Sequence, residues 1–338
     1  MAKASFQIPR DLAPFDLVSY GRRGQERRLS LAQVEQIART VHRVPEVMVK
    51  VSGGGTSVGA VKAHFRYIGR QDFTIETDDG EQLTGKDAAN KLIEDWGLDI
   101  DAEEAGSAYN GRPGRKPGKL VHNIVLSMPA GTPAEKVLAA SRDFSRETFA
   151  FQYRYALVLH VNEPHPHVHL VVRAMSEHGK RLNIRKATLQ EWRWEFARRL
   201  RAHGVAANAT GRLIRGETRV HKQDGIFRAH ARGASAHMRE RVEAVAAELL
   251  KGDVRTEPAR AKLLQTRRDV ERGWRAVSEI LTSQGRQELA THVRLFLEGM
   301  PQPQTEKERL LAGLRTRIDM ARRACHGEPR NPRRERTR

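Results

Sequence analysis

The chain has 338 residues, 30% of them charged, and its 60 Lys and Arg outnumber 41 Asp and Glu to give a formal net charge of +19. That length suits one large domain with an appendage, or two domains, and the positive excess points to a polyanionic partner, nucleic acid ahead of an anionic membrane. No long apolar run, basic amphipathic anchor or secretory signal stands out, and the lone Cys325 excludes an internal disulfide framework, so a cytoplasmic protein without membrane insertion is expected.

In chain order, residues 1–44 read as a basic mixed segment. It holds one helix from Ser30 to Val44, with Leu31, Val34, Ile37, Ala38 and Val41 on one side and Ser30 as its N-cap. A strand, Val47 to Val51, runs into Ser52-Gly53-Gly54-Gly55-Thr56 and a helix from about Ser57 to Arg70. The glycines suit a plain turn better than a phosphate cradle, since no G-x-x-x-x-G-K-[ST] is present. Tyr67 sits between Arg66 and Arg70 at the helix end. It is either an amphipathic surface aromatic or a nucleophile whose phenolate the cations stabilise. Residues 73–83 alternate around the turn signal Asp78-Asp79-Gly80, and a helix over about 86–96 follows. Residues 103–119 are rich in Gly and Pro and carry Arg112, Arg115, Lys116 and Lys119. They read as a mobile basic loop, a DNA-facing flap or a bare connector.

A strand from Lys119 to Met128, a helix from Pro133 to Phe149 and a helix from Arg185 to His203 frame the densest pattern in the chain. This is His160-Val-Asn-Glu-Pro-His165-Pro-His167-Val-His169, flanked by Ala156–Leu159 and Leu170–Val172. Alternation along a strand puts His167 and His169 on one face, with Val168, Leu170 and Val172 turned to a core. In an antiparallel hairpin centred near Pro164 and His165, His160 lies across from His169 and diagonal to His167. Three neutral imidazoles then converge on an open face as a metal site, and His165 falls in the turn. The alternative is a histidine-rich surface turn.

These elements make an α+β domain over 45–217, with a central, largely antiparallel sheet flanked by helices. Residues 218–325 read as a helical basic region, with helices at 235–250, 258–283, 287–297 and 305–323. The Arg-rich tail 326–338 reads as disordered.

Four stretches, in order, resemble the conjugative relaxases, mobilisation nucleases of the His-hydrophobe-His endonuclease superfamily, in the branch that includes the T-DNA border endonuclease. They are Gly53–Thr56 with Phe65–Arg70, His122–Thr132, His160–His169 with Val168 as the hydrophobe, and Leu182–Arg185 with Trp192–Gly204. The resemblance covers about Val47 to Gly216 and implies a site- and strand-specific relaxase. Tyr67 would attack the phosphodiester at an origin-of-transfer nick site, on single-stranded or supercoiled DNA, and give a 5′-phosphotyrosyl bond. His160, His167 and His169 would hold one divalent metal, Mg²⁺ or Mn²⁺, with Arg66 and Arg70 in support. Accessory relaxosome proteins, a type IV secretion coupling protein and translocation with the bound strand are implied as well.

Asn162 stands where the family usually has aspartate. It cannot act as a base but can hydrogen-bond a histidine ring and fix its tautomer. Glu163 should face away from His160, which leaves the general base unassigned. Tyr153 and Tyr155 read as strand residues packing beside the site, and His122 and Ser127 as strand packing. The competing function is a non-catalytic DNA-binding mobilisation accessory with a degenerate metal site. A histidine-metal phosphodiesterase acting on RNA is disfavoured by the tyrosine helix.

Overall fold

A computed structural model describes residues 17–20, 28–70, 73–85, 87–107, 118–217, 229, 232–252 and 256–325. These divide into two compact units, one within Ser30–Thr210 and the other drawn from Asp16–Leu29 and Gly211–Arg338.

The first unit is built on a six-stranded sheet whose strand pairings, among the described residues, are all antiparallel. In chain order come α2 (Leu31–Val41), β1 (Met48–Gly53), α3 (Val58–Ile68), β2 (Ile75–Thr77), β3 (Gln82–Leu83), α4 (Ala88–Asp95) and α5 (Leu98–Ser107), after a short α1 (Leu17–Tyr20) that belongs to the second unit. Then come β4 (Val121–Ser127), α6 (Ala134–Phe149), β5 (Tyr155–His160), β6 (His167–Arg173) and α7 (Lys186–Ala202). Across the sheet the strands run β1-β4-β6-β5-β2-β3. The α+β class expected from the sequence is the one observed.

Strand alternation gives each sheet face its own core. Leu157, Val168, Leu170, Val172, Ile124, Leu126 and Val49 meet Phe144 and Phe149 of α6 and Trp192, Phe196 and Leu200 of α7. On the opposite face, Ala156, Val158, Val171 and Val121 meet Val61, Phe65 and Ile68 of α3 and Leu92 and Ile93 of α4. The buried residues of α3 recur at the spacing of one helical stripe, and Ser57 caps its first turn by accepting from the Ala60 amide. The face with α3 is the one that carries the histidines.

Three expectations change. The strands β5 and β6 pair with His160 opposite His167 and Val158 opposite His169, so His160 lies across from His167 and diagonal to His169. The connection takes in Val161 to Pro166, longer than the tight turn expected, which slides the register by two residues. Residues 103–107, expected at the start of the basic loop, complete α5, while Arg112, Arg115 and Lys116 lie outside the described residues. The helix α2, assigned from sequence to the basic segment 1–44, belongs to the sheet unit. Its Thr40 hydroxyl lies 2.8 Å from that of Thr210 and accepts from Asn208 Nδ2, which also donates to Glu46. Buried polar groups fully paired in this way fix a helix as firmly as apolar contact does.

The glycine turn after β1 has a packing cause. A Cβ on Gly54 would stand 2.4 Å from the Val121 carbonyl oxygen, and one on Gly55 would stand 2.4 Å from Val61 Cγ2. The Leu120 amide donates to the Gly55 carbonyl at 2.7 Å, so the turn is pressed onto the start of β4.

The second unit is helical among the described residues: α1, α8 (Ala236–Lys251), α9 (Ala259–Ser283), α10 (Gln287–Glu298) and α11 (Glu306–Cys325). Its centre is Trp274, whose indole N–H donates to the Ile214 carbonyl and whose ring meets Phe296 edge-on at 5.3 Å. At Gly273 a side chain would strike the Leu17 carbonyl at 2.4 Å, which is how α1 lies close against α9.

Candidate active site

The strands β5 and β6 deliver three imidazoles to one point. His160, His167 and His169 each offer a ring nitrogen, and the three nitrogens lie within 4.8 Å of one another. Ring centroids stand 5.2 Å (160–167), 4.6 Å (160–169) and 5.2 Å (167–169) apart. Val168, between the two β6 histidines, is fully buried in the opposite core, which pins the direction of both rings.

Backbone carbonyls select the tautomers. His160 Nε2 lies 2.7 Å from the Ile68 oxygen, and His167 Nδ1 lies 3.0 Å from the His165 oxygen. A carbonyl only accepts, so those nitrogens carry the protons, and His160 Nδ1 and His167 Nε2 keep their lone pairs. His165 thus takes part through its main chain, with its side chain exposed in the turn. Burial lowers the pKa of His160 against the Ile68 hydrogen bond. Burial first, then the charges of His160, His167, His64 and Arg70, pushes His169 down to about 3. His160 and His167, each with one nitrogen held by a carbonyl and the other free to donate a lone pair, together with His169 form a donor set that suits a divalent metal, so these residues fit the ion that the resemblance implies.

The Tyr67 helix borders this cluster. Ile68, the next residue, supplies the carbonyl that holds His160, and His64, three residues before Tyr67, sets its ring edge-on to His169 at 6.2 Å. Tyr67 itself is exposed, with the Arg70 guanidinium 4.4 Å over its ring. Arg70 is also among the cations that depress His160 and His169. It is therefore near both the phenol and the imidazoles, while Arg66 is exposed on the same helix.

Asn162 is exposed in the turn, and the hydrogen bond that fixes the His160 tautomer comes from Ile68. Glu163 is exposed as well. Ser127 pairs with His167 across β4 and β6 and shares its face, whereas His122 points to the other face, beside Val51 and Leu189. Tyr153 and Tyr155 are not beside the site. They lie in the α6–α7 core, on the far side of the sheet from the histidines. Lys119 precedes β4 and donates to the Gly53 carbonyl at 3.2 Å.

Sequence reading missed two contributors. Phe73 stacks on His160 at 4.5 Å with the rings 25° apart, and His64 has a buried, unpartnered Nε2. The spacing of His64 to Tyr67 was a usable signal, since helical residues three apart are neighbours. Phe73 gave none.

Residues 79–205 match the family model for relaxases, the MobA/VirD2-like nuclease domain. This span holds all three histidines of the cluster and begins after Tyr67, and over it the chain is similar to VirD2-like relaxase nuclease domains. Among curated proteins, the T-DNA border endonuclease VirD2 of Agrobacterium fabrum (strain C58) is 30% identical over 143 residues, 39% of this chain and 31% of its own length. That of Rhizobium rhizogenes is 29% identical over 141 residues, 38% of this chain and 31% of its own. The aligned part thus spans under a third of these relatives. A chain from the solved structure titled "Molecular Basis of Vancomycin Resistance Transfer in Staphylococcus aureus" aligns with half of this chain and 99% of its own, at 16% identity and a TM-score of 0.32, a superposition too loose to bear on the fold.

Proposed function

We propose that the protein is a DNA relaxase that nicks an origin of transfer through Tyr67 for conjugative transfer or mobilisation. The observation that carries this reading is the hydrogen bond from His160 to the carbonyl of Ile68, which ties the three-histidine cluster to the helix of the exposed phenol.

In the proposed reaction Tyr67 Oη bonds to the scissile phosphorus and the P–O3′ bond breaks. The phenol gives up its proton as Oη bonds, and the 3′ oxygen leaves as a hydroxyl after taking up one proton, so the step is proton-neutral. The number of phosphodiester bonds is unchanged, so ligation by the reverse path needs no nucleoside triphosphate. A divalent ion held by His160, His167 and His169 would supply Lewis-acid polarisation of the phosphate. Arg70, over the phenol ring, orients Tyr67 and offers charge to the phosphate, and Arg66 flanks it on the exposed side of the helix. Ile68 and Phe73 hold the His160 ring against rotation.

The substrate is single-stranded or supercoiled origin DNA. Lys119, with Arg112, Arg115 and Lys116, contacts its backbone. Accessory relaxosome proteins, a type IV secretion coupling protein, a cytoplasmic location and carriage to a recipient cell with the strand belong to the same proposal. Among the described residues no helix is long and apolar enough to cross a membrane.

Supercoiled origin plasmid incubated with the protein and Mg²⁺ or Mn²⁺ should yield open circles with protein on the 5′ end. Mass spectrometry of the adduct should locate the nucleotide on Tyr67. Tyr67→Phe should lose all adduct and keep DNA binding. Salt-sensitive binding without nicking under every divalent metal would instead support the accessory-protein reading, in which Asn162 marks a degenerate site.

A further inference from the structure

On the sheet face opposite the three histidines lies a second cavity, of about 540 Å³, with Lys119, Arg181 and His122 on one side and Val51, Ile184 and Leu189 on the other. Its size falls in the range of small-ligand sites. Among the described residues, no acidic side chain lines the cavity.

Two cations with no acidic neighbour among the described lining residues call for an anion at one end. The aliphatic wall opposite them calls for a flat or apolar body attached to it. Arg181 is held in place by donating to the Lys119 carbonyl at 2.8 Å, and Lys119 by its bond to the Gly53 carbonyl at 3.2 Å. The cationic pair is therefore preorganised by the main chain. Both residues contribute to pushing the His122 pKa down to about 4, after burial itself, which places their charges close to the ring. Among the described residues His122 Nδ1 is buried with no hydrogen-bond partner, although a hydrogen bond to the Leu182 backbone also acts on the ring, against the lowering of its pKa.

We infer that this cavity is a second nucleotide site, taking one nucleoside monophosphate unit with its phosphate on Lys119 and Arg181, its base against Val51, Ile184 and Leu189, and its polar edge toward His122. The unit is either one residue of a bound DNA strand or a free nucleotide, and the chemistry recognised is the same.

The site does not depend on the histidine cluster, so the test uses the full-length protein carrying His167→Ala, which separates it from nicking. Two probes are titrated, deoxythymidine 5′-monophosphate by calorimetry and a fluorescent oligothymidylate of about ten residues by anisotropy, a length within the range of single-stranded sites. Arg181→Glu should weaken the probe that occupies the site by about tenfold. Arg181→Gln, which keeps the donors and removes the charge, should weaken it less, and melting curves should confirm that both variants fold. An effect on the oligonucleotide alone assigns the site to the strand, and stoichiometric monophosphate binding that competes with the oligonucleotide assigns it to a free nucleotide. The His122 ring resonances should shift in either case. Unchanged affinity for both probes in both folded variants, with static His122 signals, would overturn the proposal.

Discussion

His160 is gripped from three sides: by the Ile68 carbonyl on Nε2, by the Phe73 ring on its face, and by the two β6 imidazoles at its open edge. Outer contacts of this kind set the orientation of a ligand ring and are worth about 10–100-fold in metal affinity. Phe73→Ala should therefore weaken Mn²⁺ binding by about tenfold in calorimetry with the fold intact, and His169→Ala should abolish it. On the other face, His122 gives a pH prediction. Its ordinary value of 6.5 is lowered to about 4 in the fold. Between those values the unfolded chain takes up a proton that the folded chain refuses. The contribution to stability is complete above pH 6.5 and is lost as pH falls toward 4. The melting temperature should drop through that window, and His122→Asn should flatten the drop. The convergence of the three histidines was legible because alternation along a strand is a strictly local rule. Phe73 and the Ile68 carbonyl were not. One is brought in by tertiary packing, and the other is a backbone atom, which leaves no mark in composition.

The hairpin of β5 and β6 shows how an element-scale error can leave a site reading intact. The register was expected two residues away from where it lies. A shift of two preserves the face of every side chain, whereas a shift of one would have sent His167 and His169 into the α6–α7 core. Tyr153 and Tyr155 were misjudged for the complementary reason. Proximity in sequence to His160 was read as proximity in space, while parity puts Tyr155 in the other core. The glycine turn was read as a plain flexible connection, but its constraint lies in a close approach to β4 that only a fold can reveal. Gly54→Ala places a methyl 2.4 Å from the Val121 oxygen at a φ of +158°, and should cost about 2 kcal/mol in urea unfolding.

At the scale of the molecule, two features stand apart: a sheet unit that holds the histidine cluster, and a helical unit whose centre is Trp274. The four longer helices of the second unit, α8 to α11, were legible end by end, because long amphipathic stripes and capping residues such as Ser235 are local signals, whereas the short α1 was not expected. What that unit does was not legible, since a charged helical surface is compatible with many partners. The net charge of +19 sets the form that the proposed DNA interaction should take. Affinity for single-stranded DNA should fall linearly on a log–log plot against salt, with a slope of about 0.7 per phosphate neutralised. Residues 330–338 hold five arginines and one glutamate. Removing residues 326–338 should reduce that slope by up to about 3 in anisotropy titrations. It should spare nicking of origin plasmid and abolish transfer in a mating assay, and unaffected transfer would refute a partner-binding function for the tail.

The carbonyl that steadies His160 belongs to the residue next to Tyr67, so in the proposed adduct the tether point of the DNA and the anchor of an imidazole are neighbours in one helical turn. Traction on the strand would be felt first at that turn. Fraying it would release the ring and dismantle the cluster, leaving the enzyme unable to reseal until the tension slackens. The bond that assembles the site would then also work as a mechanical latch, and its release would keep the joint open for as long as the strand is being hauled.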